Sequence, residues 1–384
     1  MEMSIRFPGL KLFFGYVPRS FQIFGMEFTI YGMLIATGAI LGIGLVTLEA
    51  KRSGENQNKY LDIMILSLLA SVVGSRVFYV IFSWELYREN LSSILNLRNG
   101  GYAVYGGLLA GFLVADISCR VMKIDFRRMA DIASMGILLG QTIGRWGNFF
   151  NRESFGEYAS LPWIMQLPVS VVHSGEVSGR MRDNLLTIDG ISYIQVQPVF
   201  LYESLWCLLL LLVLLALRRR KRYEGELFMI YLAGYGFGRF FFEWLRTDKL
   251  YIPGTKIGIS LVISAALFII CTPAVIVHGI MSQKRAAIRK HRRGAFIFSE
   301  KESVSEENIH TDAERKNITE KPETDMDTDK SEADAEERKN ADPDKKIQKE
   351  PEEMLNWEES EYAHISEQWR QNVGTHPTNS EDDR

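Results

Sequence analysis

Residues 140–156 read GQTIGRWGNFFNRESFG, an apolar, glycine-rich run that turns abruptly into Arg145, Asn148, Asn151, Arg152 and Glu153. Taken as the end of a membrane helix, it puts Gln141, Arg145 and Asn148 on one face, while Gly136, Gly140 and Gly144 line a neighbouring one. A polar stripe then sits beside a close-packing seam. Arginine within or near hydrocarbon is costly and needs a partner or a task, so the stretch predicts a site for a phosphate or carboxylate at the interface. The competing reading is an arginine that snorkels and anchors the helix end.

Outward from that stretch, the chain reads as an all-α integral membrane protein with seven transmembrane helices. Spans are predicted at about 28–48, 61–82, 103–119, 130–150, 199–217, 226–244 and 257–279, each near the roughly 20 residues a crossing needs. The loops after the first, third, fifth and seventh spans hold 18 Lys/Arg, against 8 in the three alternating loops. Positive residues stay inside, which predicts the N-terminus outside and the C-terminus in the cytoplasm. Residues 1–27 form an expected interfacial arm, with Phe7, Leu10, Phe13, Phe14 and Tyr16 on lipid. Residues 28–280 are the transmembrane domain, and the outer loop 151–198 within it is long enough to form a small extracytoplasmic cap.

Charge divides the chain further. Residues 300–384 carry 27 acidic and 12 basic residues, a formal −15, so the first 299 carry +12 and the near-neutral total of −3 conceals both. A basic juxtamembrane segment, 281–299, therefore precedes an acidic tail, 300–384, expected to be disordered in the cytoplasm. Cys119, Cys207 and Cys271 fall in or beside apolar runs without metal-ligand spacing and read as small buried hydrophobes. The six histidines form no metal motif, and no Walker loop, nucleophile elbow or haem ligand pair is present.

Further polar groups gather toward the outer ends of the spans. The second holds Arg76 and Tyr79 in GSRVFYV; before the third comes NGGYAVYGG with Tyr102 and Tyr105; the fifth opens with QPVFLYES, placing Tyr202 and Glu203 near the boundary. In GYGFGRFFFEWLRTD, Tyr235, Arg239, Glu243 and Arg246 are spaced to share one helix face. A self-neutralising Arg239–Glu243 pair is the structural alternative there. Several arginines, tyrosines and carboxylates near one leaflet suit an anionic lipid head group, since guanidinium forks match phosphate oxygens. Binding, transport and chemistry on the lipid all stay open at this level.

The motif G-R-x-G-N-F-x-N-x-E, here Gly144, Arg145, Gly147, Asn148, Phe149, Asn151 and Glu153, resembles the signature of the bacterial prolipoprotein diacylglyceryl transferases. The resemblance covers about residues 24–280 and extends through Tyr31-Gly32, GSRVFYV, the YGG before the third span, QPVFLYES and GYGFGRFFFEWLR. It implies a multi-pass enzyme of the bacterial plasma membrane, its active site toward the outer leaflet. Phosphatidylglycerol and prolipoprotein signal peptides with a lipobox cysteine would be its partners within membrane lipid, with no cofactor, no metal and no nucleic acid. It also implies roles: Arg145 on the phosphate, Arg239 at the reacting phosphate ester, and Asn148, Asn151, Glu153 and Gly156 shaping the pocket. Tyr31, Tyr235, Glu243 and Arg246 would be supporting contacts.

The chain departs from some Gram-negative members of that family, which have His where Tyr105 stands, and Gln197 likewise stands where His is frequent. Either Tyr105 acts as a tyrosinate, or it only hydrogen-bonds and the arginine field ionises the substrate thiol, the second being favoured because tyrosine titrates near pH ~10. The competing class is a secondary transporter or permease for an anionic lipid head group, which predicts inverted repeats and helices broken near the midplane. A non-catalytic lipid-binding scaffold is the third reading.

Overall fold

The computed structural model describes residues 3–96, 100–249, 251–252, 254–255 and 257–318, with side chains as far as residue 289. The chain divides into two units, Met1–Lys301 and Glu302–Arg384. Among the described residues the seven longest helices are α1 (Ile30–Arg52), α2 (Gln57–Phe82), α3 (Val104–Met122), α4 (Phe126–Asn151), α6 (Val199–Leu217), α7 (Glu226–Leu245) and α8 (Ile259–Ile318). Each begins within about four residues of an expected span. Five of them, α1, α2, α3, α6 and α8 as far as Arg289, are long and apolar enough to cross a membrane. The other two are those that carry Asp131 and Arg145, or Glu226, Arg239 and Glu243, within their length.

Small residues set the helix pairing. A Cβ at Gly42 would come within 2.6 Å of the Gly136 carbonyl oxygen, so α1 and α4 touch backbone to backbone. Gly38 and Gly140 continue that contact one turn on, whereas Gly144, expected on the same seam, faces open space. The buried Asp131 carboxylate accepts from the Gly225 and Phe228 amides at 2.9 and 3.0 Å, capping the first turn of α7 from α4. Cys119, Cys207 and Cys271 are all buried thiols.

The expectation of an all-α chain fails in the cap. Strands β1 (Ile5–Phe7), β2 (Leu12–Phe14), β5 (Met165–Pro168), β6 (Leu186–Ile188) and β7 (Ile191–Val196) form one antiparallel sheet in the order β2-β1-β5-β7-β6. A short helix, α5 (Gly179–Asp183), lies in the same loop. Asp189 and Gly190, both at positive φ, make the two-residue turn between β6 and β7, the Asp-Gly signal of a tight hairpin. The arm does not simply lie on lipid, because Arg6 pairs with Gln166 and Phe7 is buried beside Phe149, Phe155, Met165 and Phe200. Leu10, Phe13, Phe14 and Tyr16 are exposed. A second hairpin, β3 (Ser20–Ile23) with β4 (Met26–Thr29), turns at Phe24-Gly25 and leads directly into α1.

The acidic segment also departs from expectation at its start. Helix α8 runs on to Ile318, so residues 300–318 are helical rather than irregular. Their Glu, Ala and Lys content is helix-favouring, and a helix already under way avoids the cost of a new nucleus. Residues 319–384, the rest of the expected tail, lie outside the described residues.

Candidate active site

Three helices meet where α4 ends, α6 begins and α7 ends, and one carboxylate joins them. Glu203, in the second turn of α6, is almost fully buried, its side chain 3% exposed. Its Oε2 lies 2.6 Å from Arg145 Nη1 of α4, and its Oε1 lies 2.7 Å from Arg239 Nη1 of α7. Arg246, just past α7, approaches the same Oε1 at 3.7 Å. Arg239 turns its second nitrogen to Glu243, one helical turn on, at 2.8 Å. The self-neutralising pair considered for α7 therefore exists, but it is one edge of a network that reaches α4 and α6.

Charge within this cluster balances. Arg145, Arg239 and Arg246 stand against Glu203, Glu243 and Asp248, with Arg246 gripping Asp248 through two hydrogen bonds of 2.8 and 2.5 Å. Burial alone would raise the Asp248 pKa, but the paired guanidinium outweighs it and holds the carboxyl below its ordinary value. Burial would likewise lower Arg246, and the Asp248 hydrogen bond reverses the sign. Around Arg145, Glu203, Tyr235, Arg239, Trp206 and Cys207 lies a narrow cavity of about 10 Å³, close to the space of one water.

One turn beyond Arg145, a second small cluster closes α4. Asn148 and Asn151 both donate to Glu153 Oε1, at 2.9 and 3.4 Å, and the Glu153 amide returns to the Asn148 carbonyl at 3.1 Å. Tyr31, at the start of α1, packs its ring on Gly147, where a Cβ would come within 2.6 Å, and lies within the fields of Glu153 and Arg145. From the cap, Glu176 feels Asp248, Glu153 and Arg246, and burial followed by the Asp248 charge pushes its carboxyl above the ordinary range.

Gly156 has a backbone reason to be glycine. Its amide donates to the Gln197 carbonyl at 2.9 Å, it bridges Arg246, and a Cβ would meet the Leu245 carbonyl oxygen at 2.9 Å. The segment after α4 is thereby laced to the end of α7, which sets where Arg246 stands.

The structure thus brings together Arg145, Tyr235, Arg239, Glu243 and Arg246, with Asn148, Asn151, Glu153, Tyr31 and Gly156 adjoining them. It does not bring in Tyr105. That residue sits in the first turn of α3, which packs along α2, and among the described residues no hydrogen bond or ion pair ties it to the arginines. Arg76 is accounted for otherwise: its guanidinium donates to the carbonyls of Ser93, Ile94, Asn96, Gly100 and Gly101 at 2.6–3.1 Å, pinning the α2–α3 connection. Sequence reasoning passed over Glu203 and Asp248 as site members. The available signal for Glu203 was a carboxylate near the start of an otherwise uncharged helix.

Residues 18–277 match the family model described as prolipoprotein diacylglyceryl transferase. The phosphatidylglycerol–prolipoprotein diacylglyceryl transferase of Finegoldia magna is 39% identical over 251 residues, 65% of this chain and 91% of that protein. Its namesake in Clostridioides difficile is 39% identical over 233 residues, 61% of this chain and 84% of that protein. A third, from Bacillus mycoides, is 39% identical over 246 residues, covering 62% and 86%. With its matched residues spanning both the helices and the site they enclose, the chain belongs to the prolipoprotein diacylglyceryl transferase family.

Proposed function

We propose that the protein transfers the diacylglyceryl group of phosphatidylglycerol to the lipobox cysteine of prolipoproteins, in the bacterial plasma membrane. The observation that carries this reading is Glu203, whose two oxygens each engage a different arginine, Arg145 and Arg239. A pair of guanidiniums set to share two oxygens of one anion also suits two oxygens of a phosphodiester. The names of the relatives are those of transferases, and none supports the permease alternative.

The reaction is a displacement at the glycerol carbon that bears the phosphate. The cysteine thiolate attacks that carbon, a C–S thioether forms, the C–O bond breaks, and its electron pair leaves on glycerol phosphate. Arg145 holds the phosphate, and Arg239 meets the charge that grows on the departing oxygen, both guanidiniums being largely buried. Glu203, Glu243 and Asp248 act as positioning residues, holding three guanidiniums that would otherwise repel one another. Asn148, Asn151, Glu153 and Tyr31 border the pocket at the end of α4, and Tyr235 lines it. Free cysteine ionises near pH ~8.5, so the arginine field favours the thiolate at neutral pH.

Seven crossings, with α4 and α7 as the two polar ones, the N-terminus outside and the cap over the outer leaflet, complete the proposal. What supports it is the loop charge and the common location of the Arg145 site and the cap at one end of α4. The test uses full-length protein in phosphatidylglycerol micelles with a lipobox peptide, following glycerol phosphate release and peptide mass. Wild type is expected to release glycerol phosphate with a matching diacylglyceryl mass gain, and Arg145→Ala to lose both. Folded protein that releases none would overturn the enzyme reading.

A further inference from the structure

The opposite ends of the same helices hold a second charged cavity that the transfer reaction does not use. Asp131 and Arg145 are 14 residues apart on α4, and Arg218, at the C-terminal end of α6, is 15 residues past Glu203, separations of about 21 and about 22 Å along the two axes. The cavity there measures about 100 Å³, against about 10 Å³ beside Arg145, and is lined by Glu49, Asp131, Arg52, Arg218, Arg219 and Lys221. Four cations and two anions line it, and Glu224, outside the lining, pairs with Lys221, which leaves an excess of one positive charge.

Both anions are already committed. Glu49, 2% exposed, pairs with Arg52 at 2.6 Å and with Arg218. Asp131, fully buried, accepts from two α7 amides and from Lys221 at 3.3 Å. The remaining charge is held by Arg219, which makes no hydrogen bond or ion pair among the described residues, and by Arg52, whose side chain is half exposed and bonded through one nitrogen alone. Loop asymmetry in membrane proteins collects cations on one side, but it does not by itself make a cavity or bury carboxylates that fix guanidiniums around it. Room for several waters, walled by donors and carrying net positive charge, is what a phosphate group and part of its hydration require.

We propose that this cavity binds a phosphate-bearing anion: the head group of an anionic phospholipid in the leaflet opposite the Arg145 site, or a soluble phosphate. The proposal is independent of the chemistry at Arg145. Its test compares full-length wild type with Arg52→Gln/Arg219→Gln, neither residue belonging to the transfer site, so that unchanged diacylglyceryl transfer certifies the fold. Phosphatidylglycerol retained per protein is counted by native mass spectrometry from mixed micelles with phosphatidylcholine, and thermal unfolding is followed with inorganic phosphate. Loss of a charge-assisted contact is expected to weaken binding roughly tenfold or more. Wild type retaining one more phosphatidylglycerol than the variant supports the lipid; a phosphate-dependent shift seen only in wild type supports the soluble source. If the double variant fails to fold, Arg219→Gln alone, which breaks no ion pair, replaces it. Wild type and folded variant responding alike to both ligands would overturn the proposal.

Discussion

Glu203 is the residue on which the charge balance of the site turns. Removing one partner of a buried ion pair leaves an uncompensated charge and costs about 3–5 kcal/mol, and here the loss would fall on two arginines at once. Glu203→Gln is expected to lower transfer by roughly a hundredfold, in line with the loss of a preorganised electrostatic contact, with Tm reduced but helical content retained. A variant of unchanged rate would reduce Glu203 to a spectator. Asp248 allows a pH test. Its folded pKa is depressed, so the Arg246 pair contributes stability fully above the unfolded carboxyl value of about 4 and loses it as pH falls through the lower folded value. The Tm gap between wild type and Asp248→Asn is therefore expected near neutrality and to close on acidification below about pH 4; a gap independent of pH would mean that the pair contributes no ionic stabilisation.

At the scale of elements, two arginines of similar sequence context do opposite work. Arg145 ends in a cluster of side chains with a cavity beside it, whereas Arg76 spends its guanidinium on five backbone carbonyls of the α2–α3 connection and stacks on Tyr87. Backbone acceptors left without a donor cost about 1–3 kcal/mol each when buried, and less in this half-exposed connection. Arg76→Met should therefore open residues 83–103 to limited proteolysis and lower Tm, while the surviving folded fraction keeps its KM for phosphatidylglycerol. A raised KM without new cleavage would instead put Arg76 on the substrate.

Across the molecule, the cap is a joint product of segments some 150 residues apart in sequence. Arg152, at the end of α4, donates to the carbonyls of Met3 and Val17 as well as to that of Phe150, and burial together with Arg19 pushes its pKa down to about 10. Deleting residues 1–17 removes strands β1 and β2, one end of the sheet order, and leaves the Arg152 donors without the Met3 and Val17 carbonyls. Such a protein is expected to keep its helical circular dichroism but to lose transfer; full activity after the deletion would separate the cap from the site.

Local chemistry determined the parts of this protein that depend on one segment at a time. Apolar runs near a bilayer's width located the long helices, five of them long and apolar enough to cross a membrane, because helical hydrogen bonds close within the segment. Spacing placed Tyr235, Arg239 and Glu243 on one face of α7, since a helix face is a local property, whereas Arg246, expected on that face, reaches the cluster in extended conformation from just past the helix end. The motifs around Arg145 sufficed to indicate the family. What needed tertiary structure was every pairing between distant segments: Glu203 closing on Arg145 and Arg239, and Arg6 meeting Gln166 in a sheet that no single stretch announces. A carboxylate's partners, like a strand's neighbours, are chosen by how the helices pack, and that packing is written in contacts such as Gly42 on Gly136 that join residues far apart in the chain.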